Sequence, residues 1–324
     1  MPLAGGFRAT GIRIPKSSTR STPTNRTSTL STTNTTIPEG VAEGVAGEDG
    51  EAGENRIRPE PTLRRHKKLG SAARLPHFIT QWQQVTNNKF ILKIIKYGYM
   101  IDFIKEPVQM NFIPRKMTQE NINICDYKVK KFLASGAIIV VKPSRDHFLS
   151  DIFPVPKRCF SDHRIILDLS DLNNYVRKIS FKMDSLDTII SMIRPGDYFV
   201  SIDISDAYYS VAMHILAMPF LTFIFLKIHY QFTCLPQGLT SAPRIFTRIM
   251  RVVMSYLRSR GLRISAWLDD LLLAASSASL TASQTNTTLG TLEELGFLPN
   301  YEKSVLTPAQ RISHLGLVWD VRGS

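Results

Sequence analysis

Residues 262–275 read LRISAWLDDLLLAA, two β-prone apolar runs with a pair of carboxylates between them. Each run is long enough for a strand and too short for a helix. A hairpin carrying Asp269 and Asp270 at its tip is the simplest reading. Adjacent carboxylates repel each other, and a solvated turn does not need such apolar flanks. A divalent cation removes the repulsion, and Mg2+ is commonly held by one or two carboxylates together with substrate phosphates. An Asp-Asp pair alone also marks an ordinary polar turn, so the reading depends on what accompanies it.

Upstream, residues 198–204 (YFVSIDI) have strong strand composition with Asp203 inside. A carboxylate there costs stability unless it sits at the strand end and meets a cation. Two divalent ions roughly 4 Å apart can activate an attacking hydroxyl and stabilise a leaving pyrophosphate. In residues 235–243 (LPQGLTSAP), Pro236 and Gly238 bracket a tight turn that presents Gln237 just before a helix. The first amides of a helix can face an anion. Lys157 and Arg164, separated by the polar loop Arg158 to His163, place two cations on one hairpin, where they could grip a triphosphate. Taken singly, the turn is also plain loop punctuation and the cations are common surface residues.

The chain of 324 residues carries a formal net charge of +13, with 43% hydrophobic and 9% aromatic residues. That is enough apolar material for a core, so a wholly disordered, collagen-like or coiled-coil chain is excluded. The basic excess points to a polyanionic partner. The three cysteines, Cys125, Cys159 and Cys234, lack zinc-site spacing and read as reduced thiols of an intracellular, cytoplasmic or nuclear protein. The sequence has no uninterrupted apolar run long enough to span a membrane and no signal-peptide core, so no membrane partner is expected.

Residues 1–72 are rich in Ser and Thr, then in Gly, Ala and Glu, and are expected to be a disordered tail. The tail ends near Arg64-Arg65-His66-Lys67-Lys68, a solvated charge run or a nucleic-acid or import patch. From residue 73 the pattern predicts helices over Thr118–Gly136, Met183–Ile193, Ser241–Arg260 and Thr281–Leu295, with Ser241 able to cap the third. Strands are expected at Ala137–Val141, Ile152–Lys157, Arg164–Leu169, Tyr198–Ile204, Phe220–Leu226, His229–Cys234, Leu262–Trp267 and Leu271–Ala275. A turn at Lys227-Ile228 and one last strand within Arg311–Trp319 complete the set. Strands and helices intermix without a strict βαβ rhythm, which gives an α+β fold with a mostly antiparallel sheet.

The order of these constellations carries a resemblance. FPVPK (153–157) and HRIILDLSDLNNYV (163–176) resemble the fingers motifs of reverse transcriptases. SIDISDAYYSV (201–211) resembles their motif A, LPQGLTSAPRIFTRIM (235–250) motif B, and WLDDLLL (267–273) motif C. GFLPNYEKSVLTP (296–308) and ISHLGLVWD (312–320) resemble motif D and the primer grip. HFITQWQQVTNN (77–88), PVQMNFIPR (107–115) and residues 181–211 are similar to DIRS-type and related LTR-class retroelements.

The resemblance implies a right-hand polymerase: an antiparallel palm sheet backed by helices, with fingers, over residues 136–320. Residues 73–135 would be an N-terminal extension packed on the fingers. It implies an RNA-directed DNA polymerase that moves a nucleotidyl group from dNTP to a primer 3′-hydroxyl on an RNA or DNA template. Asp203, Asp269 and Asp270 would hold two Mg2+ ions, with Mn2+ a possible substitute. Lys157, Arg164 and the amides of Asp206 and Ala207 would contact the triphosphate. Tyr208 would lie under the deoxyribose and exclude a 2′-hydroxyl. Gln237 and Gly238 would line the nucleotide and template side, Lys303 would protonate pyrophosphate, and Trp267 would lie beside the primer end.

Some positions depart from the family pattern. Trp267 stands where Tyr or Phe is usual, and Ser170 where Arg is usual. The sequence stops soon after HLGLVWD, which is expected to mean truncation before a thumb and RNase H, with poor processivity. Three other readings stay open at this point. A catalytically silent nucleic-acid-binding remnant would bind duplex without incorporating dNTP. An RNA polymerase is opposed by Tyr208 and by Leu268 in place of Gly. A carboxylate-metal nuclease is opposed by the Pro-Gln-Gly turn and the basic hairpin.

Overall fold

The computed structural model describes residues 70–157 and 162–322. The expected disordered tail lies outside these residues apart from positions 70–72, and its basic run Arg64 to Lys68 lies wholly outside them.

The described chain starts with two short helices, α1 (Ile79–Val85) and α2 (Lys89–Tyr97), followed by α3 (Gln119–Ser135). The Thr118 hydroxyl caps α3 by accepting from the Asn121 amide, and Gly136, where the sequence places the helix end, closes it in a left-handed conformation. Next come β1 (Ile138–Val141), β2 (Leu149–Pro156), β3 (His163–Asp168) and the short α4 (Ser170–Asn173). Then follow α5 (Leu186–Met192), β4 (Tyr198–Asp203), β5 (Thr222–Phe225), β6 (Ile228–Phe232) and α6 (Ala242–Ser259). The series closes with β7 (Arg263–Trp267), β8 (Asp270–Ala275), α7 (Ala278–Glu294), β9 (Val305–Ala309), β10 (Arg311–His314) and β11 (Leu317–Asp320).

These strands form a five-stranded sheet ordered β1-β6-β5-β2-β3, a four-stranded sheet ordered β7-β8-β4-β9, and the hairpin β10-β11. All pairings are antiparallel except β2 with β5, which run parallel at Leu149–Thr222 and Ser150–Phe223. The mostly antiparallel α+β expectation is therefore met.

The four-stranded sheet is covered on both faces. Leu271 and Leu273 of β8 join the core that contains Ile245, Ile249, Val253 and Leu257 of α6 and Leu289 and Leu292 of α7. Leu272 and Ala274 point the other way, into a cluster with Ile189 of α5 and Ile312 and Trp319 of the terminal hairpin. Side chains alternate along a strand, so a strand buried on both faces must be apolar throughout, and LLLAA is. Helix α7 turns a threonine-rich face inward. Thr281, Thr285 and Thr288 are buried, and each hydroxyl donates to the carbonyl one turn back, at Ser277, Thr281 and Gln284. These local bonds satisfy the hydroxyls within the helix, and Thr281 also reaches the Tyr198 carbonyl of β4 at 3.4 Å.

Helix α1 packs against α6, and α3 lies on β1, β2 and β3. The fully buried Trp82 donates its indole N–H to the Leu295 carbonyl at 2.9 Å and meets Phe297 edge-on.

Four local expectations are corrected. Ser241 does not cap α6. Its backbone is already helical at φ −82° and ψ −12°, and its hydroxyl is buried without a partner among the described residues. The β5–β6 turn falls one residue earlier, on Leu226 (φ +50°) and Lys227 (φ +65°). The single strand expected within Arg311–Trp319 is a hairpin turning on Leu315 (φ +54°) and Gly316 (φ +75°). Both turns have the two positive φ values of a tight hairpin, at a cost of about 1–2 kcal/mol for each non-glycine residue. Strand β9, which carries Pro308, was not anticipated; it forms the edge of its sheet, where proline is tolerated.

Candidate active site

Strand β4 delivers Asp203 to its end, and β8 begins with Asp270 directly opposite in the antiparallel register. Trp267 pairs with Asp270, so Leu268 and Asp269 form the two-residue turn between β7 and β8. Leu268 sits at φ +57°, a strained conformation of the kind that clusters at functional sites. The backbone around Asp203 is held from both sides. Its amide donates to the Ser304 hydroxyl at 3.0 Å, its carbonyl accepts from Asn300 at 2.8 Å, and the Ile204 amide donates to the Asp269 carbonyl at 3.0 Å.

Asp203 and Asp269 line one cleft of about 720 Å3. Lys157, Arg164, Asp206, Ala207, Tyr208, Gln237, Gly238 and Lys303 line it too, so ten of the twelve residues given a role from the sequence converge there. One exception is Asp270, which faces Asp203 across the strands without lining the cleft. Trp267 ends β7 and also lies outside the lining.

The electrostatics calls for a cation. Burial raises the Asp269 carboxyl above the usual carboxylate range, and the Asp203 charge adds to this, while Arg164 and Lys303 oppose it. Asp270 is pushed up to about 6, first by burial and then by Asp269 and Asp203, with Lys303 opposing. Among the described residues no three His, Cys, Asp or Glu side chains close around a metal position. Asp203 and Asp269 instead make a two-carboxylate arrangement open to the cleft, which fits an Mg2+ ion that takes its other oxygens from water and phosphate.

The same cleft carries cations. Arg164 on β3 pairs with Val155, and Lys157 follows β2 directly. Lys157 shares the Asp162 carboxylate with Lys128 of α3, at 2.5 and 2.6 Å. Tyr208 stands on a short helical turn and meets Phe246 of α6 edge-on at 5.3 Å. Burial and the Asp269 charge push its hydroxyl up to about 12, so it stays neutral. Gly238 has φ +110°, and a Cβ there would lie 2.4 Å from the Leu167 carbonyl oxygen of β3. Asn173 clamps this turn: its amide donates to the Gly238 carbonyl at 2.8 Å, and its oxygen accepts from the Thr240 amide at 2.9 Å.

Sequence reasoning missed Lys128, Asn173, Asn300 and Ser304. Asn173 stands in the quoted LNN and Asn300 and Ser304 flank Lys303, but only their backbone-directed bonds reveal a task. Lys128 stands among other helix lysines, and nothing local distinguishes it.

A carboxylate-bearing turn and a basic strand pair that line one cleft make a polymerase-like arrangement. Solved structures agree at the level of fold. A foamy viral protease–reverse transcriptase dRH in complex with double-stranded DNA superposes with TM-score 0.60 and 17% identity, over 82% of this chain and 48% of that one. A second foamy viral protease–reverse transcriptase structure with double-stranded DNA gives TM-score 0.58 and 18% identity, over 78% of this chain and 56% of that one.

The family model described as reverse transcriptase (RNA-dependent DNA polymerase) matches residues 155–319, and the chain belongs to that family. The Gag-Pol polyprotein of walleye dermal sarcoma virus is 28% identical over 167 residues, 51% of this chain and 10% of the viral protein. That of avian reticuloendotheliosis virus is 25% identical over 197 residues, 58% of this chain and 17% of the viral protein. The chain thus spans between a tenth and a sixth of the length of these relatives. Reverse transcriptases generally use divalent metal ions. No helix among the described residues is long and apolar enough to cross a membrane.

Proposed function

We propose that this chain is the catalytic core of a retroelement reverse transcriptase, a nucleotidyltransferase that extends a primer 3′-hydroxyl with dNTPs on an RNA or DNA template. The observation that carries the reading is that Asp203 and Asp269 line one cleft together with Lys157 and Arg164. The wording of residues 77–88, 107–115 and 181–211 supports a DIRS-type or related LTR-class element. The buried, unpaired thiols of Cys125 and Cys234 suit a reducing, intracellular compartment.

Asp203 and Asp269, with Asp270 behind them, would hold two Mg2+ ions, or Mn2+ as a substitute. Bound there, such ions supply a more acidic primer hydroxyl and neutralise charge on the leaving pyrophosphate. The protein's own contribution is position and charge. Lys157, Arg164 and the amides of Asp206 and Ala207 orient the triphosphate for in-line attack. Tyr208, braced by Phe246, occupies the space a 2′-hydroxyl would need. Gln237 and Gly238 form the floor under the base pair. Lys303, beside Asp269, can pass a proton to pyrophosphate, and Trp267 lies toward the primer end. The template is gripped through its phosphates, so every sequence is accepted and binding weakens with salt.

The test is primer extension on poly(rA)·oligo(dT) with Mg2+ and dTTP. Extension by the wild type that Asp203→Asn and Asp269→Asn abolish is the expected outcome. Salt-sensitive binding of the duplex without extension would identify a silent nucleic-acid-binding remnant instead.

A further inference from the structure

Helix α3 carries Lys128, Lys130 and Lys131 within one turn, and their surroundings differ. Lys130 points outward and pairs with Asp126 on its own helix. Lys131 lies over the Tyr127 ring. Lys128 turns inward, with its side chain 14% exposed, and lines the same cleft as Asp203 and Asp269. Its ammonium donates to one oxygen of Asp162 at 2.6 Å, while Lys157 donates to the other at 2.5 Å. The Asp162 carboxylate also accepts from the His163 amide at 2.8 Å.

Two lysines and Arg164 thus face the cleft, against Asp162 as the one carboxylate ion-paired to any of them among the described residues. Each ammonium has three donors and spends one on Asp162, so donors remain for a second anion. Asp162 itself is 44% exposed, with solvent available to receive its carboxylate. The two lysines hold that carboxyl well below the usual range, so it is ionised at any working pH. A polyphosphate offers more charge and more acceptor oxygens than one carboxylate.

We propose that Lys128 is a third cation for the triphosphate of the incoming nucleotide, and that Asp162 is an internal anion that occupies Lys128 and Lys157 until the nucleotide displaces it. The inference rests on the polymerase reading and adds a residue that the quoted motifs do not contain. Lys128 and Asp162 therefore have opposite effects on nucleotide binding although they touch each other. Lys128 attracts the triphosphate. Asp162 competes with it.

That opposition separates the proposal from a plain structural bridge, in which losing either partner has the same consequence. Steady-state incorporation of dTTP on poly(rA)·oligo(dT) is measured at low salt for wild type, Lys128→Met and Asp162→Asn. Lys128→Met keeps the apolar stem and should raise KM for dTTP about 10-fold with kcat little changed, the loss expected for one charge-assisted contact. Asp162→Asn should lower KM several-fold. Inorganic tripolyphosphate, used as a competitive inhibitor, should lose affinity for Lys128→Met by a similar factor, which assigns the contact to the phosphates. Melting temperatures of the variants check that both are folded. KM rising in both variants, or unchanged in Lys128→Met, would overturn the proposal while leaving the polymerase reading intact. Absence of extension by the wild type would instead sink the polymerase reading.

Discussion

Asp203 and Asp270 face each other across β4 and β8, while Asp269, one residue away, is carried by a strained turn into the cleft that Asp203 also lines. Neighbouring carboxylates on adjoining backbone thus point to different places. The register of two strands and the left-handed Leu268 divide them. The division leaves repulsion and burial to be relieved by a cation, and Lys303 and Arg164 relieve it only in part.

Mg2+ should therefore stabilise the folded protein. A ligand at about ten times its Kd contributes roughly 1.4 kcal/mol, or a rise of about 2–4 °C in melting temperature. Asp203→Asn and Asp269→Asn should melt higher than wild type without Mg2+ and lose the rise with it. Thermal unfolding with and without the ion checks both, and a full rise in the variants would place the site elsewhere.

Tyr208 is fixed by its edge contact with Phe246 and cannot swing aside cheaply. Replacing it by Ala should open room for a 2′-hydroxyl. Relief of an overpacking cost of about 1–3 kcal/mol should reduce the preference for dTTP over UTP by roughly 10–100-fold in kcat/KM. An unchanged ratio would show that the ring does not reach the sugar.

Gly238→Ala combines a disfavoured φ of +110° with a Cβ placed 2.4 Å from the Leu167 carbonyl oxygen. The turn must shift, and Gln237 with it. Incorporation should fall by about 100-fold or more, since displacements near 1 Å at a reacting centre have that effect. Asn173→Ala removes two hydrogen bonds to the same turn and should have a smaller effect in the same direction.

Arg263 grips Asp197 through two nitrogens at 2.5 and 2.7 Å, and the Arg194 amide adds a third bond to this buried carboxylate. Asp197→Ala leaves the Arg263 charge without its carboxylate, with only the Met192 carbonyl among the described residues to accept from it. A loss of roughly 3–5 kcal/mol in unfolding free energy is expected, read by urea denaturation.

Burial pushes His314, on the terminal hairpin, down to about 4. The unfolded chain takes up its proton near pH 6.5 and the folded chain only lower. Its contribution to stability is thus complete above pH 6.5 and is lost as pH falls toward 4, by roughly 2–3 kcal/mol. His314→Leu should flatten the dependence of melting temperature on pH across that window.

Much of this was legible because it is local. The 3.6-residue stripe and Pro243 announce α6, the apolar run LLLAA announces a strand, and the Asp-Asp tip follows from its flanks. The terminal hairpin was not legible, because a leucine accepts a left-handed turn only when strand pairing on both sides holds it there. The cap at Ser241 was misread because the preceding turn had already made that residue helical.

By itself, the sequence determined most of the helices and strands and the turn that carries Asp269, and so which side chains are available for chemistry, since periodicity and turn propensity act over a few neighbours. Tertiary structure alone decided which of them meet. It brought Lys128 to Asp162 across 34 positions, Asn173 to Gly238 across 65, and Ser304 to Asp203 across 101. Such contacts leave no periodic trace, because they form only when apolar burial draws distant elements together and their polar groups must find partners where they land.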